Sequence, residues 1–245
     1  MTNTYRFAER NIAVTSLHEE VHRLCAAYRA PDAAPDFAIR ITSADIDLER
    51  ERSVREDAAE GKPVRQFPDS YLETLAVYRQ IAERMPGYDT FLLHGSCVAV
   101  DGKGYLFTAK SGTGKSTHTR LWREFLGDRA VMINDDKPLI RVGADGAAVV
   151  YGTPWDGKHR LSTNTTVPLR AVCILERAAE NTIRPIPAGE AYPMLLQQTY
   201  RPMDAAALAK TLTLLDRLAG CVRFWHLSCN MDPEAARVAY EAMRP

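Results

Sequence analysis

Tyr105 to Ser116 reads Tyr-Leu-Phe-Thr-Ala-Lys-Ser-Gly-Thr-Gly-Lys-Ser, an apolar strand followed by a small-residue loop and a helix start. This is the phosphate-loop pattern x-x-x-x-Gly-Lys-[Ser/Thr], with Ala109 where a first glycine usually stands. Successive N–H groups from Ser111, Gly112, Thr113, Gly114 and Lys115 can wrap a polyphosphate, because the two glycines adopt backbone shapes that other residues resist. The positive end of the next helix favours the same anion. Lys115 would reach the β- and γ-phosphates, the Ser116 hydroxyl would hold Mg²⁺, and Thr117 completes the nucleotide-binding set.

A second group follows 20 positions after Lys115: Asn134-Asp135-Asp136-Lys137 at the end of an apolar strand. Carboxylates delivered beside a phosphate loop can divide the labour, one on a metal ion and one as base for a nucleophile. A third group is Gly152 to Arg160, Gly-Thr-Pro-Trp-Asp-Gly-Lys-His-Arg. Its cations could neutralise a transferring phosphoryl group, with Lys158 favoured over His159. His94, in Leu93-His94-Gly95, reads by itself as a hydrogen-bonded strand residue.

These groups need elements to hold them. Asp101-Gly102 between Phe91–Val100 and Tyr105–Thr108 predicts a hairpin, so the phosphate loop leaves an antiparallel pair. A helix through Leu121, Trp122 and Phe125 ends at Gly127, and the strand Ala130–Ile133 leads to the acids. Asp145-Gly146 turns a further hairpin, Leu139–Val142 with Ala147–Tyr151. Arg170–Leu175 and Val222–Leu227 read as strands, with Asn181–Pro187 as partner or extension. Asp204 caps a helix whose apolar positions are Leu208, Leu212, Leu215 and Ala219, closed by Gly220. Asp232-Pro233-Glu234 opens the last helix.

Upstream, Tyr5–Ser16 and Phe37–Thr42 read as strands and Leu17–Arg29 as helical. The mixed charges from Asp45 to Glu60 read as a solvated excursion. Ser70 and Glu73 form a capping box for a helix with apolar positions Tyr71, Leu75, Tyr78, Ala82 and Met85, closed by Gly87. The division expected is an N-terminal α/β region over 1–88, packed on or contributing to the core, and a nucleotide-binding catalytic domain over 89–245.

The 245 residues carry 31 basic and 31 acidic side chains. No basic field points to nucleic acid or an anionic membrane, and no apolar run is long enough for a membrane span. Five scattered cysteines suit reduced thiols, and with no secretory leader evident the expectation is a cytoplasmic protein.

His94-Gly95, the phosphate loop after a hairpin and Asp135-Asp136 closing the next strand together resemble the HPr serine kinase/phosphorylase catalytic domain. That domain shares its nucleotide-binding architecture with ATP-dependent phosphoenolpyruvate carboxykinase. The likeness covers roughly Phe91 to Arg170 and looks closest to an HPr-kinase-like group with Ser-Gly-Thr-Gly-Lys-Ser-Thr-His, Asn-Asp-Asp-Lys-Pro and Gly-Thr-Pro-Trp-x-Gly-Lys. It implies an α/β phosphate-loop fold of carboxykinase/HPr kinase type with mixed and antiparallel sheets, and a kinase using ATP and Mg²⁺. It also implies one of Asp135 and Asp136 as general base and the other with Ser116 on the metal, Asp135 being favoured as base and Asp136 as metal ligand. His94 would lie beside the base, tuning or relaying its proton. The acceptor would be a hydroxyl on a protein, a peptide serine or a small molecule. A nucleotide sensor or an ATPase without a phosphoacceptor is the alternative, a carboxykinase a more distant one, and a homo-oligomer stays open.

Overall fold

The computed structural model describes residues 1–59 and 61–244. The chain divides into two compact units, Met1–Arg84 and Met85–Pro245.

In the first unit, β1 (Thr2–Phe7) and β2 (Arg10–Thr15) pair antiparallel, and β3 (Phe37–Arg40) adds parallel to β2. The single strand expected over Tyr5–Ser16 is therefore a hairpin. Ala8 and Glu9 make its two-residue turn with φ of 44° and 66°, a conformation normally flagged by glycine or asparagine, so its sequence signal is silent. The helix expected over Leu17–Arg29 shrinks to α1 (Glu20–Leu24) and a 3-10 turn, Ala26–Tyr28.

The charged run is a second correction. Its described part lies in α2 (Ser43–Ala59), not in a solvated excursion; Glu60 lies outside the described residues. Ion pairing reconciles these charges with a packed helix: buried Glu49 pairs with Arg79 of α3 (Asp69–Arg84), and buried Asp57 takes the Arg65 guanidinium at 2.6 Å. The Arg65 pairing holds the Asp57 carboxyl below the usual carboxylate range. The capping box at Ser70 is not formed. Glu73 instead accepts from the N–H groups of Leu17 at 2.5 Å and His18 at 2.8 Å. The buried positions of α3 also run Leu72, Ala76, Val77, Ile81, which leaves Tyr71 exposed.

The second unit is α/β with mixed and antiparallel pairing. Its strands are β4 (Thr90–Leu92), β5 (Ser96–Val100), β6 (Lys103–Thr108), β7 (Ala130–Asn134), β8 (Leu139–Val142), β9 (Ala148–Tyr151), β10 (Thr166–Arg177), β11 (Thr182–Ile186) and β12 (Arg223–Cys229). Among the described residues the main order is β4-β8-β9-β10-β6-β5-β7, with β12 pairing β10 and β11. The hairpin at Asp101-Gly102 forms, with φ of 50° and 74°. On its other side β6 pairs parallel with β10, Phe107 opposite Cys173 and Thr108 opposite Ile174. Strand β10 holds two partners in succession, because Thr166–Pro168 pairs antiparallel with β9 before the chain turns parallel to β6 and β12.

Side-chain alternation along β6 divides the core. Leu106 packs with Val172, Leu195, Leu214 and Leu218, under α5 (Ala188–Gln198) and α6 (Ala205–Cys221). Tyr105 and Phe107 pack the other way, with Trp122 of α4 (Lys115–Leu126) and Ala236 and Ala239 of α7 (Glu234–Met243). Each face buries several whole apolar side chains, worth about 1.5–3 kcal/mol apiece. The result holds β6 rigid up to Thr108, where the glycine loop begins. Helix α5 has no counterpart in the sequence expectations; Pro193 lies inside it and hides its helical period. Among the described residues no helix is long and apolar enough to cross a membrane.

Candidate functional site

The loop from Ala109 to Gly114 joins β6 to α4 directly. Gly112 and Gly114 take φ of 77° and 123°, the region where a side chain is strained. Helix α4 starts at Lys115 with no side-chain cap, so its first N–H groups are left for another acceptor. Ser111 and Gly112 are exposed, while Thr113, Gly114, Ser116 and Thr117 are half-buried. Lys115 is buried and its Nζ donates to the loop's own carbonyls, Ala109 at 3.1 Å and Lys110 at 3.5 Å. Burial lowers its ammonium pKa below the ordinary lysine value, against the opposing charges of Asp136 and Asp135. Behind the loop, His118 accepts from Trp122 Nε1 at 3.0 Å, and burial pushes its pKa down to about 3. That neutral ring packs edge-on against Phe107 and ties α4 to β6.

Asp135 sits against this loop. Its Oδ1 accepts from Ser96 Oγ at 2.6 Å, Ser96 meets Thr119 Oγ1 at 2.8 Å, and the Ser116 hydroxyl lies near enough to favour the charged carboxylate. Burial raises the Asp135 pKa above the usual carboxylate value, with the two serine hydroxyls opposing it. Asp136 faces elsewhere: its Oδ1 lies 3.0 Å from His94 Nε2 and its Oδ2 3.8 Å from Lys137 Nζ. Burial alone would raise its pKa, but the His94 hydrogen bond and the charges of Lys137, His94 and Lys115 leave it lowered.

Two expectations about position are corrected here. The sequence puts His94 on a continuous strand, and the family resemblance puts it beside the base, Asp135. The strand is broken, β4 ending at Leu92 to pair with β8 and β5 starting at Ser96 to pair with β6, so His94 lies in the connector. It meets Asp136 because successive side chains leaving a strand point to opposite sides. The ring is held from both ends. Asp136 only accepts, so Nε2 carries the hydrogen, while Gln198 Oε1 stands 2.9 Å from Nδ1. The Gln198 amide can donate or, turned over, accept, and so can serve a neutral or a protonated ring.

Asn134 fixes the acid turn. Its Oδ1 accepts from the N–H groups of Asp136 at 2.9 Å and Lys137 at 2.6 Å, while its Nδ2 donates to Thr153 O at 2.9 Å and Thr153 Oγ1 at 3.0 Å. Thr153 Oγ1 donates back to Lys137 O at 2.8 Å. The loop Gly152 to Arg160 is thereby sewn onto the acid turn, and a Cβ on Gly157 would stand 3.4 Å from Asp136 Cβ. Of the cations on that loop, His159 acts electrostatically on Asp135. Lys158 is exposed and forms no ion pair with either acid.

The structure thus gathers the glycine loop, Lys115, Ser116, both acids and His94, and leaves Lys158 at the rim. Ser96, Asn134, Thr153 and Gln198 complete the site without having been singled out. Only Asn134, inside the acid motif, carried a local signal, as a residue able to accept from N–H groups two and three positions on.

The family described as SynChlorMet cassette protein ScmC has a model that matches residues 69–213. No curated protein matches the chain. Among solved structures, the HPr(Ser) kinase/phosphatase from Coxiella burnetii aligns over 52% of this chain and 96% of its own, at 13% identity and a TM-score of 0.27. An overlap that weak carries no argument about activity.

Proposed function

The chain belongs to the SynChlorMet cassette protein ScmC family, and from the geometry of its site we propose that it is a phosphotransferase. It would bind ATP on Ser111 to Thr117 and pass the γ-phosphate to a hydroxyl of a protein, peptide or small molecule. A phosphate-loop fold of HPr kinase/carboxykinase type is part of the same proposal. The observation that carries it is the placement of buried Asp135, at the end of a different strand, beside Ser116 in the first turn of the helix after the glycine loop, near enough for the hydroxyl to favour the charged carboxylate.

Mg²⁺ fits these donors. A hydroxyl and a carboxylate side by side are hard oxygen ligands, and this ion is commonly held by one or two carboxylates together with substrate phosphates. Among the described residues no cluster of three or more histidine, cysteine or acidic side chains could hold a metal by itself. Ser116 and Asp135 would hold the ion, which when bound neutralises charge on phosphate oxygens. Asp136 then takes the role of base, an exchange of the two acids relative to the sequence expectation, because it is the one paired with His94.

The chemistry follows from the groups in place. The loop's N–H groups and Lys115, released from Ala109 O and Lys110 O, hold the phosphates. The acceptor oxygen forms its bond to the γ-phosphorus as the bridging oxygen–phosphorus bond breaks and ADP leaves. The acceptor proton goes to Asp136, and His94 with Gln198 keeps that carboxylate oriented and supplies a path onward. Positioning and charge neutralisation do most of the work in this reaction class, so His159 or Lys158 at the rim would suffice as the extra cation.

The test is transfer from γ-labelled ATP into desalted cell extract or into the small-molecule fraction. Label on an acceptor, lost with Asp136→Asn and with Lys115→Ala, supports a kinase. Label released only as phosphate means an ATPase, and bound ATP without turnover means a sensor. Wild-type protein that binds no ATP overturns the reading altogether.

A further inference from the structure

Arg177 ends β10, the strand parallel to β6. Parallel neighbours finish at the same edge of a sheet, so three residues beyond Ile174 the chain stands beside the loop that follows Thr108. Its exposed side chain crosses to that loop. Nε donates to Thr113 O at 3.1 Å and Nη2 donates to Gly112 O. Both acceptors are carbonyls of the loop's crest, and no role in the proposed transfer has used this residue.

Resting on the reading that the loop holds a polyphosphate, we propose that Arg177 is a positioning residue for the loop's anion-binding N–H groups. In a trans peptide the carbonyl and the N–H of one unit point in opposite directions. Holding Gly112 O outward therefore turns the Thr113 N–H to the opposite side, and holding Thr113 O outward does the same for the Gly114 N–H. The Thr113 N–H now meets Lys110 O at 3.3 Å, a long bond that an anion would replace. The loop needs such a brace. Nothing lies within 4 Å of where a Cβ would sit at Gly112 or Gly114, and glycine peptides reorient at little cost. The loop's own tie is at Lys110 O, which accepts from Thr113 Oγ1 at 2.9 Å and the Thr113 N–H at 3.3 Å, and Arg177 adds a hold on the carbonyl side. A planar guanidinium with several donors can span two adjacent carbonyls, which a single ammonium cannot do in the same geometry. Arg177 thus acts through the backbone and leaves the phosphate to Lys115.

The experiment measures MgATP affinity and the ligand-free thermal midpoint of the full chain, for wild type, Arg177→Met and Arg177→Lys. Loss of two charge-assisted bonds to the loop predicts affinity lower by about tenfold or more in Arg177→Met. The ligand-free midpoint should be unchanged, since the side chain is exposed, and Arg177→Lys should recover only part of the affinity. The amide resonances of Thr113 and Gly114 should shift in the ligand-free variant, while those of α7 stay in place. Wild-type affinity in Arg177→Met overturns this proposal and leaves the nucleotide reading standing. A fall in midpoint matching the fall in affinity also overturns it, by making Arg177 a general stabiliser. A wild-type chain that binds no MgATP overturns both.

Discussion

Replacing Asn134 by alanine probes the joint on which the site depends. The side chain is fully buried and makes four hydrogen bonds of 3.0 Å or less, two accepted from the acid turn and two donated to Thr153, with a longer fifth to Trp155 O at 3.5 Å. Each such bond contributes about 1 kcal/mol net, and an unsatisfied buried partner costs more. Asp136 and Lys137 are only half-buried, so their freed N–H groups can recover water, whereas the Thr153 carbonyl cannot. The expected loss is about 3 kcal/mol, or about 6–12 °C in the midpoint of a domain this size. Asn134→Asp keeps the shape and the acceptor but removes both donors and sets a buried charge against Thr153 O. It should be at least as damaging at neutral pH. Thermal and denaturant melts of both variants read the effect on the Met85–Pro245 unit. A loss below about 1 kcal/mol for Asn134→Ala would refute the accounting, as would Asn134→Asp melting like wild type.

Three further outcomes are expected. Gly152→Ala should fold poorly, because the new methyl would lie 1.9 Å from Thr163 O and 2.8 Å from Ile133 O, both backbone atoms that cannot swing away; recovery of soluble, cooperatively melting protein at wild-type yield would contradict this. Glu73→Gln should cost about 2 kcal/mol, since an amide can accept from only one of the two N–H groups now bound and its NH₂ would face the other; an unchanged denaturation midpoint would count against it. Burial lowers the His22 pKa below 6.5, with Tyr5 hydroxyl and Ser16 Oγ on its two nitrogens. The folded ring then binds fewer protons than the unfolded one, so its contribution is complete above the unfolded value of 6.5 and falls as the pH drops below it. Melts at about pH 5 and about pH 7.5 should show a gap that narrows in His22→Gln; an equal gap in the variant would remove His22 as its source.

Features encoded over a few neighbouring residues could be read directly. Asp101-Gly102, Asp145-Gly146 and the Asp204 cap each signal through their own backbone or side-chain preferences, and each forms. The first unit shows the limit. Ala8-Glu9 turns without any turn residue, and α2 looked like solvated charge because the partners of Glu49 and Asp57, Arg79 and Arg65, lie beyond its own helical turns. The pairs inside the helix, Arg50 with Asp47, Arg52 with Glu49 and Arg55 with Glu51, are legible at three- and four-residue spacing, but the outside partners that let Glu49 and Asp57 be buried are not.

For the candidate site the boundary falls in the same way. Composition and spacing alone determined a glycine loop between strand and helix, an acid pair after the next strand and a cation-bearing loop, since each is a run of adjacent residues. Tertiary structure decided which acid meets which partner. Ser96, Ser116 and Asp135 come from three different elements, as do His94, Asp136 and Gln198. The break at Leu93–Gly95, which hands one stretch of chain to two strand partners, sends His94 to Asp136. Arg177 reaches Gly112 and Thr113 only because β10 runs parallel to β6 and ends at the same edge. Strand pairing across 60 or more residues is chosen by burial of whole faces, and no short stretch of sequence carries that information.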